Sequence, residues 1–384
     1  NLYNTIPEVR NIVVWKVWTV RPVLNTFNTI PEIRNIVVWK VWTVRPVLNT
    51  QNGVIESVPP EDAITYVLRT SNPVVASAMA WPKSVLKSSG GKPIKIRLSY
   101  PNNDMIDLKP AGIKNAMISL DGKRIPLKKW AILSVWKVWN NKIIVKNDDK
   151  SYTGNTLSFQ SDLVEILSWS RIPSWDTRRQ YNDNLFRSKI IVRNNDGKLL
   201  IVNELPIEDY LKWLGEVSNG DLKEKIKTII VGARSYAYHY RDPQNRKYNT
   251  SLYDGSDNPD EFQKYLGYGY ESRSPEVAKM VDATRWEVIT YAGKLIKSWY
   301  FSSSDGKTRS YLEYCQSNGG KSCTDIPYLQ SVDDPAWVGH IRSGHGVGIS
   351  GIGATYAASI GKSYRDIITY YLKWVKIENI KNLK

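Results

Sequence analysis

The chain has 384 residues, of which 42% are hydrophobic, so it is long enough for two or three domains with sizeable cores. Its net charge of +16 comes from Lys and Arg residues that are scattered along the chain, without a run of five. The sequence also has no zinc-finger spacing and no RNA-motif aromatic pattern, so we expect no nucleic-acid partner. No stretch approaches 18 apolar residues, which excludes a transmembrane helix.

The chain begins with a repeat of 24 residues. Residues 4–26 and 28–50 differ only at Val9 and Ile33, and the segment VWKVW returns at residues 135–139. Each copy holds a β-branched and aromatic run that ends at an Arg-Pro pair, which predicts one strand per repeat. Three interpretations stay open: a stalk or self-association surface, two ordinary strands of a β-domain, or an error in the sequence record. Because no Met precedes Asn1, we expect either a removed leader or a piece of a longer chain.

Residues 51–185 are predicted to form one or two small β-rich domains. Short β-prone runs such as KPIKIRLSY and NNKIIVKNDDKSYTG alternate with polar turns, and the segments LDGK and NDDK suit hairpins. The run PEDAITYVLRTS favours one short helix. No group of residues suited to catalysis stands out in this region.

The pattern changes at residue 186. Two strands joined by a turn precede a helix, and the run DLKEKIKTIIVGARSYAYHYR predicts an amphipathic helix. Arg234 falls in the apolar part of that helix, where a basic side chain is either paired or functional. We therefore predict an α+β fold: repeats over residues 1–50, β-rich domains over 51–185 and a mixed α+β domain over 186–378.

Two further patterns lie near the C-terminus. Cys315 and Cys323 flank a polar, Gly-rich loop, which favours a disulfide over two free thiols or half of a metal site. The run GHGVGISGIGA contains a G-x-G-x-x-G spacing, but the preceding segment is polar and too few residues follow it for a dinucleotide-binding domain.

Five segments in order resemble the SpoIID/LytB family. They are NELPIEDYLKWLGEV, VGARSYAYHYR, GYGYES, IPYLQSVDDP and GHGVGISGIGA, the last followed by SYRDIITYYL. The resemblance covers roughly residues 186–375. It implies a domain that acts on bacterial peptidoglycan, either as a lytic transglycosylase or as an enhancer of a wall amidase.

The resemblance also implies a set of site residues. The catalytic carboxylate of the family matches Glu216. An apolar flank from Trp213, Leu214 and Val217 would raise its pKa, as a general acid near neutral pH requires. The Gly-rich loop would approach a glycan strand and present His345. The positions matched to substrate binding are Arg234, Gln263, Tyr328, His345, Gly346 and Gly348.

The sequence departs from the family at three places. The segment NTSLYDGSDNPDEFQKYLG lacks the Cys and His that hold zinc in spore-type members. Its acidic residues Asp254, Asp257 and Asp260 lack the spacing of a calcium loop. We therefore expect no metal and no cofactor. Gln330 replaces a basic residue, and Gly351 replaces a Gln.

Three functions follow. The first is a lytic transglycosylase with Glu216 as general acid and base, forming 1,6-anhydro-muramyl ends. The second is a non-catalytic wall-binding or amidase-enhancing module, and the third is a structural surface protein that self-associates through its repeats. All three place the protein in a bacterial envelope or outside the cell, where its basic surface suits anionic wall polymers.

Overall fold

The computed structural model describes residues 93–111, 116–127, 131–335, 338–339 and 341–383, together with the backbone of short strands before residue 93. Residues Asn1–Lys87 form one compact unit and Ser88–Lys384 form another.

The described part of the first unit consists of short paired strands. They are β1 (Val13–Val14), β2 (Val37–Val38), β3 (Val47–Asn49), β4 (Val54–Glu56), β5 (Ala63–Tyr66) and β6 (Met79–Pro82). β1 and β2 are parallel, with Val13 opposite Val37, so equivalent positions of the two repeats lie side by side. The rest of both repeats lies outside the described residues, and their role as a stalk or self-association surface stays a prediction.

One prediction for this unit is wrong. The segment that favours a short helix contains β5 instead, which pairs antiparallel with β6. Its run of Ile64, Thr65 and Tyr66 consists of residue types that prefer strands, and this preference prevails over the short helical pattern.

A sheet of 11 strands dominates the second unit. Its strands are β7 (Pro93–Arg97), β8 (Met105–Pro110), β9 (Met117–Leu120), β10 (Lys123–Ile125), β11 (Leu133–Lys137), β12 (Ile143–Asn147), β13 (Lys150–Gly154), β14 (Thr156–Ile166), β15 (Leu185–Asn195), β16 (Lys198–Pro206) and β17 (Gly255–Ser256). The order is β13-β12-β11-β8-β14-β15-β16-β7-β17, with β9 on β14 and β10 on β9. β15 and β16 thus share a sheet with β14 and β7, and the sheet runs across residue 185. The division into three domains stays a prediction.

The hairpins of this sheet follow from their turn residues. Asp121 and Gly122 connect β9 to β10, and Asp196 and Gly197 connect β15 to β16, all four with φ between 49° and 80°. Two consecutive residues in this region form the turn whose twist matches that of the flanking strands, and Asp-Gly adopts it readily. The third copy of VWKVW begins in β11, between β8 and β12.

Seven helices and five short strands complete the described part of the second unit, apart from two single turns of 3₁₀ helix. The helices are α1 (Ile207–Leu211), α2 (Lys223–Arg241), α3 (Tyr268–Arg273), α4 (Pro275–Ala283), α5 (Tyr311–Ser317), α6 (Gly351–Ser359) and α7 (Tyr364–Tyr371). The strands are β18 (Glu287–Tyr291), β19 (Lys294–Leu295), β20 (Tyr300–Phe301), β21 (Ile349–Ser350) and β22 (Val375–Asn379). The mixed α+β class predicted from the sequence is therefore confirmed.

Helix α2 is the centre of the helical part. Ile226, Ile229, Ile230 and Ala233 are buried on one face, as their spacing predicts. The helix packs against α1, α4, α6, α7 and β18. Among the described residues, no helix combines the length and the apolar character that a bilayer crossing requires.

Candidate active site

Glu216 is held by two segments that are about 50 residues apart in the chain. After α1, the backbone of Trp213–Glu216 runs beside that of Lys264–Leu266: the N–H of Gly215 donates to the Lys264 carbonyl at 2.8 Å, and the N–H of Leu266 donates to the Trp213 carbonyl at 2.9 Å. The N–H of Lys264 then donates to Oε1 of Glu216 at 2.7 Å. A Cβ at Gly215 would lie 2.7 Å from the end of the Leu266 side chain, so a larger residue here would have to displace that side chain.

The surroundings of the carboxyl favour its protonated form. Trp213, Leu214 and Val217 are all buried beside it, and Glu216 itself is half-buried. Burial raises the pKa of Glu216 above its ordinary value, and the N–H and the charge of Lys264 offset part of that rise. Within the described part of the chain, Oε2 accepts no hydrogen bond. The carboxyl thus keeps one oxygen for a substrate and has the raised pKa that a general acid needs.

One buried tyrosine, Tyr210, and two half-buried ones, Tyr236 and Tyr300, lie near the carboxyl. Gln263, which is 1% exposed, accepts from the Tyr210 hydroxyl at 2.9 Å and donates to the Tyr300 hydroxyl at 2.7 Å. Burial first, and then nearby charges that include Glu216, raise the pKa of Tyr210, Tyr236 and Tyr300, so these hydroxyls stay protonated. Gln263 therefore positions two tyrosines near Glu216 rather than a substrate.

Arg234 lies in the core. It is 0% exposed, and its Nε and Nη2 donate to the two carboxylate oxygens of Glu208 at 2.9 and 3.0 Å. Its other N–H groups donate to Thr284 and to the carbonyls of Glu287 and Val281. A guanidinium has five N–H donors, and all five are engaged here. Arg234 has no donor left for a substrate, so we do not include it in the proposed site.

The Gly-rich loop folds against the protein itself. Gly346 and Gly348 have φ of 83° and 81°, and a Cβ at Gly348 would lie 2.2 Å from the carbonyl oxygen of Trp299. The close approach that requires glycine is therefore between this loop and the segment before β20. A Gly348 contact with glycan, which the family resemblance implies, does not explain that geometry.

We expect Gly348→Ala to lower the free energy of unfolding by about 3 kcal/mol or more, because it combines left-handed strain with a clash against fixed backbone. Gly361→Ala is the matched control: φ there is 83°, but a Cβ meets nothing within 4 Å. Strain alone should cost that variant about 1 kcal/mol. Urea unfolding of both variants measures the difference, and equal losses would refute the close-approach explanation.

His345 is satisfied by backbone groups. Its Nδ1 accepts from the N–H of Val347 at 3.0 Å, and the ring also bonds to the backbone carbonyl of Tyr300. Its ring lies 4.8 Å from that of Trp299. Burial, with a contribution from the charge of Lys297, lowers the pKa of His345 to about 4. The neutral ring fastens the loop and lacks a free polar atom for Glu216 or a substrate.

This low pKa predicts an acid-sensitive loop. The unfolded chain protonates His345 near pH 6.5 and the folded chain only near pH 4, so the stability from the neutral ring is complete above pH 6.5 and is lost as pH falls toward 4. Between pH 6.5 and 4, the free energy of unfolding of the native chain should fall by up to about 3 kcal/mol more than that of His345→Asn. Urea unfolding at pH 7, 5.5 and 4 tests this, and parallel pH curves for the two proteins would contradict it.

Tyr328 lies elsewhere in the fold. Its ring is 5.4 Å from that of Tyr291 at the end of β18, and its carbonyl accepts from the N–H of Lys373 at 3.2 Å. No contact within the described part of the chain joins it to Glu216. The nearby Gln330 donates to Asp325 and to the carbonyl of Ile326. A substrate role for Tyr328 stays a prediction.

Cys315 and Cys323 form a disulfide with their Cα atoms 5.6 Å apart. Gly320 lies inside the bridged loop, where a Cβ would be 2.4 Å from Sγ of Cys315. The disulfide closes the loop that follows α5, and Tyr311 and Tyr314 of this helix pack on Trp299.

Asp254 and Asp257 bind backbone rather than each other. Asp254 accepts from the N–H of Lys95 at 2.9 Å, and Asp257 from the N–H of Ser99 at 2.9 Å. Among the described residues, no group of three or more His, Cys, Asp or Glu side chains is arranged to hold a metal ion.

Sequence reasoning missed several residues around Glu216. Tyr236 and Tyr240 are four residues apart on α2, so they share a helix face, and Lys297 and Trp299 are two apart in an extended segment. That spacing indicates that the two members of each pair lie on one face, but nothing in the sequence indicates that the two pairs lie close together. The residues missed near the carboxyl are Tyr210, Tyr236 and Tyr300. Tyr240, Lys247, Lys297 and Trp299, which lie beyond Tyr236, were missed as well.

Comparison with known proteins identifies the region that contains Glu216. Residues 195–291 match the family model of SpoIID, stage II sporulation protein, and the match includes Glu216 and Gln263 but not His345. An uncharacterized protein of Brachyspira hyodysenteriae is 34% identical over 128 residues, which is 33% of this chain and 33% of that protein. The chain thus matches about one third of the length of this relative. Residues 195–291 thus carry a SpoIID domain, which supports a cell-wall-related role.

Proposed function

We propose that this domain cleaves the glycan strands of peptidoglycan as a lytic transglycosylase, with Glu216 as both general acid and general base. The observation that carries the proposal is the Glu216 carboxyl. It is half-buried, its pKa is raised by burial, one oxygen is fixed by the N–H of Lys264, and Oε2 accepts no hydrogen bond from any described residue.

One carboxyl suffices for this reaction. The protonated Glu216 gives its proton to the glycosidic oxygen as the bond from muramyl C1 to that oxygen breaks. The resulting carboxylate takes the proton of the muramyl 6-hydroxyl as that oxygen bonds to C1. The products are a new saccharide end and a 1,6-anhydro ring, no water is consumed, and Glu216 ends protonated. Hydrolytic glycosidases instead require a second carboxylate to activate water or form a covalent bond.

The surrounding residues support this cycle. The tyrosines and Gln263 are neutral, so they add no positive charge that would hold Glu216 ionised and oppose its return to the protonated state. The N–H of Lys264 stabilises the transient carboxylate, and the apolar flank limits how stable that ion becomes.

A wall-binding module without catalysis is the second candidate. Arg234 and His345 are both saturated by the protein, which removes two expected substrate contacts, while the half-buried ring of Trp299 lies beside Lys297. An aromatic ring of this kind suits a sugar without any chemistry. In either case we propose a location in the bacterial envelope or outside the cell, with peptidoglycan strands as the ligand.

Mass spectrometry of glycan products separates the two candidates. Peptide-free strands are incubated with the purified chain and examined for new 1,6-anhydro-muramyl ends. New ends support the enzyme. Strands that remain uncut while the protein pellets with them would contradict the enzyme and favour the binding module.

A further inference from the structure

Two lysine ammonium groups lie on the ring of Tyr240, which packs on Tyr236. Nζ of Lys297 is 5.3 Å from the centre of the Tyr240 ring and 4.2 Å from that of Trp299. Nζ of Lys247 is 5.8 Å from the Tyr240 ring and 3.2 Å from the Tyr236 hydroxyl. We call these five residues the cationic rim. Aromatic faces attract cations, and they fix both ammonium groups without neutralising them.

Neither lysine of the cationic rim has an acidic partner among the described residues. Elsewhere in the second unit Lys212, Lys225 and Lys227 each lie within 3 Å of a carboxylate oxygen. Lys247 donates to the backbone carbonyl of Glu261, whose carboxylate pairs with Arg97; the charge of Glu261 acts on Lys247 without forming an ion pair with it. Lys297 is half-buried and Lys247 is exposed. A half-buried cation without a counter-ion is costly, so the position of Lys297 is suited to receive an anion.

The cationic rim continues toward the catalytic carboxyl. The rings of Tyr236 and Tyr240 are 4.8 Å apart, and the charge of Glu216 acts on the Tyr236 hydroxyl. On its other side, Lys247 borders an open depression of about 590 Å³ lined by residues 243–251. A saccharide chain that extends from Glu216 along Tyr236 and Tyr240 therefore reaches the two ammonium groups.

We propose that Lys247 and Lys297 form an anion subsite that binds a carboxylate substituent of the saccharide next to Glu216. This inference rests on the proposed function, because it assumes that a glycan occupies the site. Muramyl residues carry a lactyl carboxylate, whereas oligomers of N-acetylglucosamine alone are neutral. The subsite thus selects a muramyl residue next to the bond that is cut, and Arg234 is not needed for that role.

The titration of Lys297 supports this assignment. Burial first, and then the charge of Lys247, lower the pKa of Lys297 to about 8. The neighbouring His239 and His345, whose pKa values are lowered, are neutral above pH 7, and the pKa of Tyr240 is raised to about 12. Among these groups, Lys297 is the one whose pKa lies between pH 7 and 9. Selectivity for a carboxylate should therefore fall over that range.

Binding measured in a Glu216→Gln background tests the subsite, because the ligand is then not cut. The probes are glycan strands with free lactyl carboxylates and N-acetylglucosamine oligomers of equal length, compared by titration calorimetry. We expect Lys297→Met to weaken binding of the carboxylated strands about tenfold and to leave the neutral oligomers unchanged. Lys297→Arg should retain most of the selectivity, because it keeps the positive charge.

Lys294→Met is the matched control, since Lys294 is exposed on β19 and its loss changes the net charge equally. It should leave binding of both probes unchanged. The subsite is refuted if the Glu216→Gln parent binds both probes equally, or if Lys297→Met weakens both alike. Failure of the proposed function is a different result, the absence of anhydro ends from the native chain.

Discussion

Glu216→Gln is expected to slow the formation of 1,6-anhydro ends by a factor of about 10² to 10⁴, the usual contribution of a positioned acid and base. The amide keeps the shape of the side chain and can still accept from the N–H of Lys264. It carries no proton that it can give to the glycosidic oxygen and cannot take one from the 6-hydroxyl. The measurement is the rate of anhydro-end formation on peptide-free strands, read by mass spectrometry.

The same variant should not be less stable than the native chain. Because burial raises the pKa of Glu216 in the folded protein, ionisation at neutral pH favours the unfolded state. The amide removes that penalty, so thermal unfolding at pH 7 should occur at the same temperature or higher, and the gain should vanish below the ordinary pKa of Glu.

Glu276→Gln is the control for activity. Glu276 is on the first turn of α4 and pairs with Lys279, away from the site. Its replacement should leave the rate of end formation unchanged. Anhydro ends formed by Glu216→Gln at the native rate would exclude Glu216 as the acid and base.

Arg234→Met should lower the free energy of unfolding by about 3–5 kcal/mol, because it leaves the Glu208 carboxylate buried without its partner. Both side chains are 0% exposed, so water cannot replace the lost hydrogen bonds. The double variant with Glu208→Gln should recover part of the loss, since it removes the uncompensated charge. Urea unfolding measures all three proteins.

Arg365→Met provides the comparison at the surface. Arg365 pairs with Glu287, but its side chain is 50% exposed, so its loss should cost about 0–1 kcal/mol. Equal costs for Arg234→Met and Arg365→Met would contradict the structural role of Arg234. The rate of anhydro-end formation per folded molecule should also be the same in Arg234→Met as in the native chain. If Arg234 bound the substrate, that rate would fall.

The local patterns of the sequence were sufficient to predict the elements around the site. The Asp-Gly pairs at residues 121 and 196 determine two hairpins, because their left-handed backbone matches strand twist. The spacing of Ile226, Ile229 and Ile230 predicts the buried face of α2. The apolar residues beside Glu216 also predict the cause of its raised pKa, since neighbours in sequence stay neighbours in space.

The tertiary structure alone decided which partners the polar residues have. The sequence left Arg234 as either paired or functional, and the fold pairs it with Glu208, 26 residues away. It likewise places Gly348 against Trp299 and brings Lys247 and Lys297 to the ring of Tyr240. Backbone geometry repeats within one helix or strand, so periodicity reveals its faces. Contacts between distant elements depend on how the whole chain packs, which no local pattern records.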